Sequence, residues 1–474
     1  MLSLGPFSPG AWLIIASAVV SAVLLAMAKP PAKSEATMWT FARMHALMYE
    51  PLVADWNKHN SPKVEMLQLG LPAIERRMLA SFFSGTPCAD LMEVERRAVA
   101  RAFAGPIESV GFVDLTDRLN RDGLLEKING PSFSPWSSRG RVFGLPHDVH
   151  PVMLGYRADI VEAAGIDVAK IETWDDFERV MRPLQEMGGK GERFALSMWE
   201  THGDHLEVLI LQAGGTLIDE QGAVTIDSEI NRRVLVRVSD WCAGPDRIAM
   251  DAPNFTASGN QLKVAGKVIC AFMPDWMGDV WKHEMPELAG KVKLMPLPAW
   301  EKGGRRTSVW GGTMLGIPKA AATSPERFEQ LYAFASHLYL SQEVARELYR
   351  KGGIITPVKT FWNDPIYDQP DEYFCGQAPG RSYINLAGDV PLRSSSPFNA
   401  RALDHITSAL VRLCEERRSG ALAQDAAKIE TRAAELLKLA QAQMQSKAER
   451  NVFLSHAAEA SAGHSAGVSE GGGR

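Results

Sequence analysis

Apolar and polar positions along the chain alternate between a strand-like pattern and a helical pattern. The first predicted elements are a strand, a helix, a strand, a helix and a strand at residues 38–41, 45–57, 64–69, 73–83 and 90–94. Short strands separated by helical stretches are typical of a mostly parallel sheet with helices on both faces. The alternation continues to residue 317, and long helical patterns follow to residue 446. The pattern therefore predicts an α/β protein.

The segment RVFGLPHDVHPVMLGYR, residues 141–157, interrupts this alternation. Apolar residues before Pro146 predict the end of one strand, and residues 152–156 predict the next strand. Proline lacks the N–H group that a strand ladder needs, so His147, Asp148 and His150 are expected in an exposed polar gap. Such a gap suits an active-site rim, a metal site or a hinge between two lobes.

Both ends of the chain differ from the part between them. An uncharged apolar run, residues 11–28, ends in Ala-Met-Ala, which fits a signal-peptide cleavage site, and a Pro-rich linker follows. The run also reaches the lower length limit of a membrane-spanning helix. Residues 1–36 are therefore predicted to be a signal peptide or an N-terminal membrane anchor plus a linker. Residues 450–474 are low in complexity and are predicted to be a disordered tail.

The composition adds two observations to this pattern. The net charge is −5 and no basic stripe occurs, so nucleic acid is not an expected partner. The chain contains 12 tryptophans against 8 tyrosines, and tryptophan offers a flat platform for a sugar or a cation. The five cysteines are scattered without zinc spacing, and we expect them to be small buried hydrophobic residues.

The sequence shows no motif of an enzyme. Two His-x-x-His pairs, His147 to His150 and His202 to His205, resemble metal ligands, but this spacing after a strand points the two rings to opposite sides. Neighbouring carboxylates such as Asp175 and Asp176 lie at predicted caps, turns and helix surfaces, not facing each other as in a glycosidase. G-x-S-x-G, H-E-x-x-H and P-loop motifs are absent from the sequence. We therefore expect no catalytic residue, no metal and no cofactor.

Aromatic residues are the better candidates for a site. Trp39, Trp199, Trp276 and Trp310 each fall at or just beyond the end of a predicted strand. Ligands of open α/β sheets bind beyond the carboxyl ends of the strands. Polar residues such as Arg43 lie beside these tryptophans, which favours an aromatic-lined polar cleft.

Several stretches occur in an order that is specific to one family. The main ones are SRGRVFGLPHDVHPVMLGYRADIVEAAGID followed by TWDDF, then LKVAGKVICAFMPDWM, and then KVKLMPLPAWEKGGRRTSVWGGTMLGIPKAA. Through these stretches, residues 37–437 resemble the extracellular solute-binding proteins of ABC importers, in the sugar-binding branch similar to maltose-binding protein. Arg139, Arg141 and Arg157 depart from the residues that are usual in that family.

The resemblance implies a two-lobe periplasmic-binding-protein fold, class II-like, with a ligand cleft between the lobes. Each lobe would be a mostly parallel sheet flanked by helices. Residues 37–149 and 312–356 would form lobe 1, and residues 150–309 and 357–449 would form lobe 2. Residues 141–157 would contain the first crossing between the lobes, with further crossings near 309–312 and 355–359. The histidines of the first crossing would then face the ligand cleft.

The resemblance also suggests which residues contact the ligand. Trp276 matches a position where the family often stacks an aromatic ring on a sugar. Carboxylates and histidines can exchange hydrogen bonds with sugar hydroxyls, while tryptophan covers the apolar face of the ring. The suggested ligand-binding residues are Trp39, Phe41, Arg43, His45, Glu93, Glu95, His147, Asp148, His150, Trp199, Glu200, Asp275, Trp276, Trp310, Phe398 and Asn399.

The implied function is binding without catalysis. The chain would be a monomer in the periplasm or another extracytoplasmic space, would capture a carbohydrate or carbohydrate-like small molecule, and would deliver it to an ABC permease in the membrane. Two alternatives remain open: a secreted glycan-active hydrolase, and a metal-binding solute-binding protein that uses the His-x-x-His pairs. Arg43, His45, His147 and His150 would make the cleft basic, which leaves an anionic sugar open as the ligand.

Overall fold

The computed structural model describes residues 8–27, 34–187, 191–422, 425–451 and 453. The predicted cleavage site after Ala28 and nearly all of the predicted tail lie outside these residues. The strands are β1 (Ala36–Thr40), β2 (Val64–Gln68), β3 (Leu91–Glu95), β4 (Ser137–Ser138), β5 (Arg141–Val142), β6 (Leu145–Pro146), β7 (Val152–Arg157), β8 (Phe194–Ser197), β9 (Ala249–Met250), β10 (Val268–Pro274), β11 (Val292–Pro296) and β12 (Thr313–Gly316).

Helices flank these strands along the whole chain. They are α1 (Pro9–Met27), α2 (Arg43–His59), α3 (Leu71–Ser84), α4 (Arg96–Ala102), α5 (Thr116–Arg121), α6 (Leu124–Lys127), α7 (Gly130–Phe133), α8 (Ala158–Ala163), α9 (Trp174–Met187), α10 (Gly203–Gln212), α11 (Glu229–Ala243), α12 (Ala257–Val264), α13 (Met277–Glu284), α14 (Pro325–Leu340), α15 (Gln342–Gly352), α16 (Pro379–Ala387), α17 (Asn399–Arg418) and α18 (Ala426–Ala448). In the part of the chain described here, no helix has both the length and the apolar character that crossing a membrane requires.

The first sheet combines strands from distant parts of the chain in the order β2-β1-β3-β12-β6. β1 is parallel to β2 and β3, whereas β12 is antiparallel to β3 and β6. Pro146 pairs with Met314 on edge strand β6, where its missing N–H breaks no ladder on the outer side. Helices α2, α14 and α15 bury their apolar residues against this sheet.

The second sheet has the order β11-β7-β10-β8-β9. Strands β7 and β10 are buried along their whole length, as their nearly continuous apolar sequences require of strands covered on both faces. Helices α9, α11, α17 and α18 share one core with this sheet, and residues 355–390 contribute to a second core. The predicted α/β class with sheets flanked by helices is confirmed, while the exact lobe boundaries stay a proposal.

Local signals in the sequence are mostly realised. The Asp176 carboxylate accepts hydrogen bonds from the backbone N–H and the hydroxyl of Thr173, which forms the predicted cap of α9. The Ser228 hydroxyl accepts the N–H of Asn231 at the start of α11. Residues 216–227 form a short hairpin, in which Ile218 bridges antiparallel to Val224 and Thr225 donates its N–H to Leu217 O at 3.0 Å.

Three connections between the sheets lie side by side. His147 donates its backbone N–H to Thr313 O at 3.0 Å, and Val149 donates to Ile355 O at 3.2 Å. Pro151 bridges to Val309 on the second connection. Because these connections pack between the two sheets, the expectation of an exposed gap is wrong: His147, Asp148 and His150 are all buried.

Candidate ligand-binding site between the two sheets

A cavity of about 960 Å³ lies between the two sheets. Its walls are formed by the residues that follow β1, β3 and β10, and its base by the connections between the sheets. This is the place where open α/β sheets bind ligands, and the volume is that of a small-molecule site. The sequence-suggested residues that line it are Phe41, Arg43, His45, Glu95, Asp148, His150, Trp276 and Trp310.

Three aromatic rings form one side of this cavity. Trp276 follows β10 directly, and its indole N–H donates to Trp310 O at 3.1 Å, which fixes the orientation of the ring. Phe255 lies parallel to Trp276, with an interplanar angle of 7° and a centroid separation of 6.2 Å. Trp310 meets Trp276 edge-on at 5.6 Å. The fixed Trp276 ring offers a platform for the apolar face of a sugar ring.

A buried carboxylate organises the opposite wall. Glu93 on β3 accepts hydrogen bonds from the Thr40 hydroxyl at 2.6 Å and the Tyr339 hydroxyl at 2.8 Å, and it lies 3.0 Å from His45 Nδ1. Burial raises the pKa of Glu93, but His45 outweighs it and holds the pKa at about 2. Burial lowers the pKa of His45, and Glu93 in turn raises it above its ordinary value. Glu93 thus holds the His45 ring in place at the cavity wall and favours its protonated form.

The base of the cavity carries Asp148 and His150 from the first connection. His150 Nε2 contacts Asp148 Oδ1, and His150 Nδ1 lies 4.0 Å from Asp275 Oδ1. Burial raises the pKa of Asp148, but His150 and His147 overcome this effect and lower it. Burial, followed by the charge of Asp148, raises the pKa of Asp275 well above its ordinary range. One atom from each of Asp148, His150 and Asp275 is within 4.8 Å of the others, a grouping that could hold a metal ion.

The remaining suggested residues do not line the cavity. Trp39, on β1, packs in the core, and the guanidinium group of Arg77 lies above its ring. Arg418 lies over the ring of Trp199 and donates hydrogen bonds to the carboxylate of Glu200. Phe398 lines another groove, and Asn399 donates to Glu207 at 3.0 Å. Glu93, His147 and Asp275 are buried behind the lining.

Direct ion pairs connect the two lobes across the cavity. Arg96, directly after β3, donates from Nη1 to Glu207 Oε1 on α10 at 3.3 Å, and its Nη2 pairs with the other carboxylate oxygen. Arg97 pairs with Asp204 beside it, but that pair is much more exposed to solvent. Arg393 pairs with the carbonyl oxygen of Gly311 on the second connection. Burial and the charge of Arg96 lower the pKa of Arg393 to about 9.

The cavity is not basic. Its basic groups are Arg43, Arg96, Arg97, Arg101 and His45, whose pKa is raised, whereas its carboxylates are those of Glu75, Glu95, Asp148, Asp204, Asp279 and Glu284. His147, which the sequence placed in the cleft, is buried next to the ring of His45 instead. A neutral, hydroxyl-rich ligand therefore fits the lining better than an anionic one.

The two His-x-x-His pairs do not form chelating sites. His150 turns toward Asp148 and Asp275, whereas His147 stacks near His45 with a ring separation of 4.4 Å. His202 Nε2 lies 3.0 Å from Asp251 Oδ1, while His205 packs against Phe272 and Trp310. The rings of His147 and His150 therefore face different neighbours, as the spacing predicts. The rings of His202 and His205 instead lie together, with centroids 5.0 Å apart, so the predicted separation is wrong for this pair.

Sequence relatives and solved structures agree with this geometry. No family model matches the chain. The arabinooligosaccharide-binding protein of Halalkalibacterium halodurans is 25% identical over 372 residues, which cover 75% of this chain and 78% of that protein. The protein of the same name from Bacillus subtilis is 25% identical over 310 residues, covering 64% and 69%.

The solved structures decide the fold. An extracellular solute-binding protein of family 1 superposes with a TM-score of 0.67 at 18% identity, covering 86% of this chain and 99% of the other. The sugar-binding protein MalE from Xanthomonas citri superposes with a TM-score of 0.66 at 18% identity, covering 85% and 97%. The chain has the fold of the extracellular solute-binding proteins. The resemblance derived from the sequence is confirmed, and these relatives are binding proteins rather than enzymes.

Some residues of the solute-binding cavity were not predicted from the sequence. Arg96 and Arg97 follow Glu95 immediately, so extending the candidate loop by two residues would have included them. Phe255 precedes Thr256, the cap of α12, and an exposed aromatic residue at a helix entry is a usable signal. Asp204 lies between the two histidines of the HGDH motif and lines the cavity, so this polar motif is itself a usable signal.

Proposed function

We propose that this chain is the substrate-binding component of an ABC importer and that it captures a neutral oligosaccharide containing pentose units. The cavity between the lobes carries the proposal, because it combines a fixed tryptophan platform with hydrogen-bonding groups and nearly balanced charge. The names of the two sequence relatives support arabinooligosaccharides as the first ligands to test. Solute-binding structures complexed with tagatose and with β-1,6-galactobiose support a sugar ligand more generally.

Ligand binding would work without a chemical step. A sugar that contacts both lobes has a higher affinity for the arrangement in which they meet, and it shifts the population of the chain toward that arrangement. The ligand-loaded form would then dock on the membrane-embedded permease as a monomer. We place this activity in the periplasm or an equivalent extracytoplasmic space, after export directed by the apolar segment at residues 11–28. Asp148 and His150 line the cavity base, where they are available for sugar hydroxyls.

The experiment is a calorimetric titration of the chain with arabinooligosaccharides, maltose, galactobiose and a uronic acid. We expect one arabinooligosaccharide per chain. We expect Trp276→Ala to weaken binding by about ten- to hundredfold, because removing the platform forfeits about 1.5–3 kcal/mol of apolar contact. Trp199→Ala is the matched control, since Trp199 is also a half-buried tryptophan of the second lobe but does not line the cavity.

The outcomes separate the candidate functions. Equal affinity of the two tryptophan variants would refute the site, and release of shorter sugars during the titration would favour the hydrolase. Binding of the uronic acid alone, lost in Arg43→Ala, would favour an anionic ligand.

A further inference from the structure

The base of the cavity contains a buried carboxyl group that a sugar in the cavity does not reach. Asp275 follows β10, and its side chain is completely buried. It is absent from the cavity lining, so a ligand in the cavity does not reach it. Its Oδ2 accepts the N–H of Ile355 at 3.3 Å, but its Oδ1 has no hydrogen-bond partner among the described residues. A buried carboxylate oxygen without a partner is costly, which indicates a missing positive group.

Two neighbours of Asp275 are buried beside it. His150 Nδ1 is also buried and makes no hydrogen bond in the described part of the chain, and the partners of the buried Asp148 Oδ1 there are the imidazoles of His150 and His147. The side chains of Asp148 and His150 are more than nine-tenths buried. Two carboxylates enclosed with one imidazole repel each other unless a cation or a proton lies between them.

We propose that Asp148, His150 and Asp275 bind one divalent cation of the Zn²⁺ class at the base of the cavity. One imidazole and two carboxylates are ligands that zinc accepts in sites with an open position. One atom from each residue already lies within 4.8 Å of the others. Zinc bonds of about 2.0–2.2 Å place tetrahedral ligands about 3.4 Å apart, so a contraction of up to about 1.4 Å completes the site.

The site is open on one side only. Asp148 and His150 line the cavity whereas Asp275 closes the rear, so the fourth coordination position faces the cavity and admits water or a ligand hydroxyl. The ion would also join two structural parts: Asp148 and His150 belong to the first connection, and Asp275 is held by Ile355 of the third connection. This inference departs from the sequence-based expectation of no metal, and it does not depend on which sugar binds.

The test uses the full chain without a polyhistidine tag, stripped with EDTA and titrated with Zn²⁺ in the absence of sugar. Calorimetry and elemental analysis of the dialysed protein are expected to give one Zn²⁺ per chain. We expect Asp275→Asn and His150→Gln each to weaken binding more than tenfold. An asparagine at 275 retains an oxygen that can accept the Ile355 N–H, and melting curves without metal show whether each variant is folded.

Asp279→Asn is the matched control. Asp279 is a carboxylate of the same cavity that lies 3.4 Å from the exposed His283, so this pair is the obvious place for adventitious zinc. Unchanged affinity in Asp279→Asn together with loss in Asp275→Asn supports the proposal. Loss of zinc binding in Asp279→Asn alone would overturn the proposal, and so would equal zinc affinity in wild type and Asp275→Asn. Absence of stoichiometric zinc binding in wild type would also overturn it and would indicate a proton shared by the carboxylates.

Discussion

The ion pair between Arg96 and Glu207 is expected to control how often the two lobes meet. Both side chains are only 8% exposed in the bridged arrangement, and Asn399 also donates to Glu207. Glu207 does not line the cavity. The substitution Glu207→Gln therefore removes the interlobe charge pair without changing any group that a ligand touches.

The expected magnitude follows from burial. Removing one partner of a buried ion pair costs about 3–5 kcal/mol, because the remaining charge stays desolvated. Here the glutamine keeps an acceptor for Asn399, and Arg96 regains water when the lobes separate. We expect the bridged arrangement to lose about 3 kcal/mol relative to the separated one, about a hundredfold in population.

Small-angle scattering of the ligand-free chain measures this shift as a larger radius of gyration for Glu207→Gln. Sugar affinity is expected to fall by up to about a hundredfold, because ligand binding must restore the bridged arrangement. The control is Asp204→Asn, which removes the pair with Arg97 and a longer contact of 3.8 Å with Arg96, and which changes a group of the cavity lining. The side chains of Asp204 and Arg97 are 39% and 41% exposed, so we expect about 0.2–1 kcal/mol and less than a tenfold change. Identical scattering and affinity for the two variants would refute this reasoning.

Two further predictions test the cavity walls. The pKa of Glu93, held at about 2 by His45, contributes stability that is present above pH 4.5 and is lost as the pH falls toward 2. The free energy of unfolding, measured with urea at several pH values, should therefore fall less steeply in acid for Glu93→Gln than for wild type. The same pH dependence in both proteins would contradict this prediction. A Cβ on Gly311, at φ 99°, would lie 2.8 Å from Trp276 Nε1, so Gly311→Ala should displace the platform and weaken sugar binding. Gly303→Ala is the control for backbone strain, because Gly303 has φ 74° and a Cβ there would lie in open space. Equal near-ultraviolet circular dichroism and equal sugar affinity in the two variants would contradict the predicted clash.

The sequence predicts the tryptophans of this site unevenly, and the reason is physical. All four candidates lie near the end of a strand or on a connection, and Trp276 and Trp310 line the cavity as expected. Trp39 and Trp199 have the same local pattern but pack against Arg77 and Arg418. Arg418 comes from a helix more than two hundred residues beyond Trp199, and no local pattern encodes that contact.

The fold class was easier to predict than the interlobe contacts. Alternating strands and helices, caps such as Thr173 with Asp176, and ordered family motifs all act locally, so the sequence indicates them directly. The bridge between Arg96 and Glu207 joins residues 111 positions apart, and its partners are ordinary charged residues in sequence. Whether such residues meet depends on tertiary packing rather than on local propensity.

The central position of β12 in the first sheet affects how the chain folds during synthesis. This strand lies between β3 and β6, yet it begins only at Thr313, after the whole of the second sheet has been made. Until the ribosome has added residues 313–316, β3 and β6 have no common partner, and the nascent first lobe keeps unpaired strand edges. High contact order of this kind slows folding. A slow first lobe would keep these strand edges exposed until the last strand of its sheet is in place.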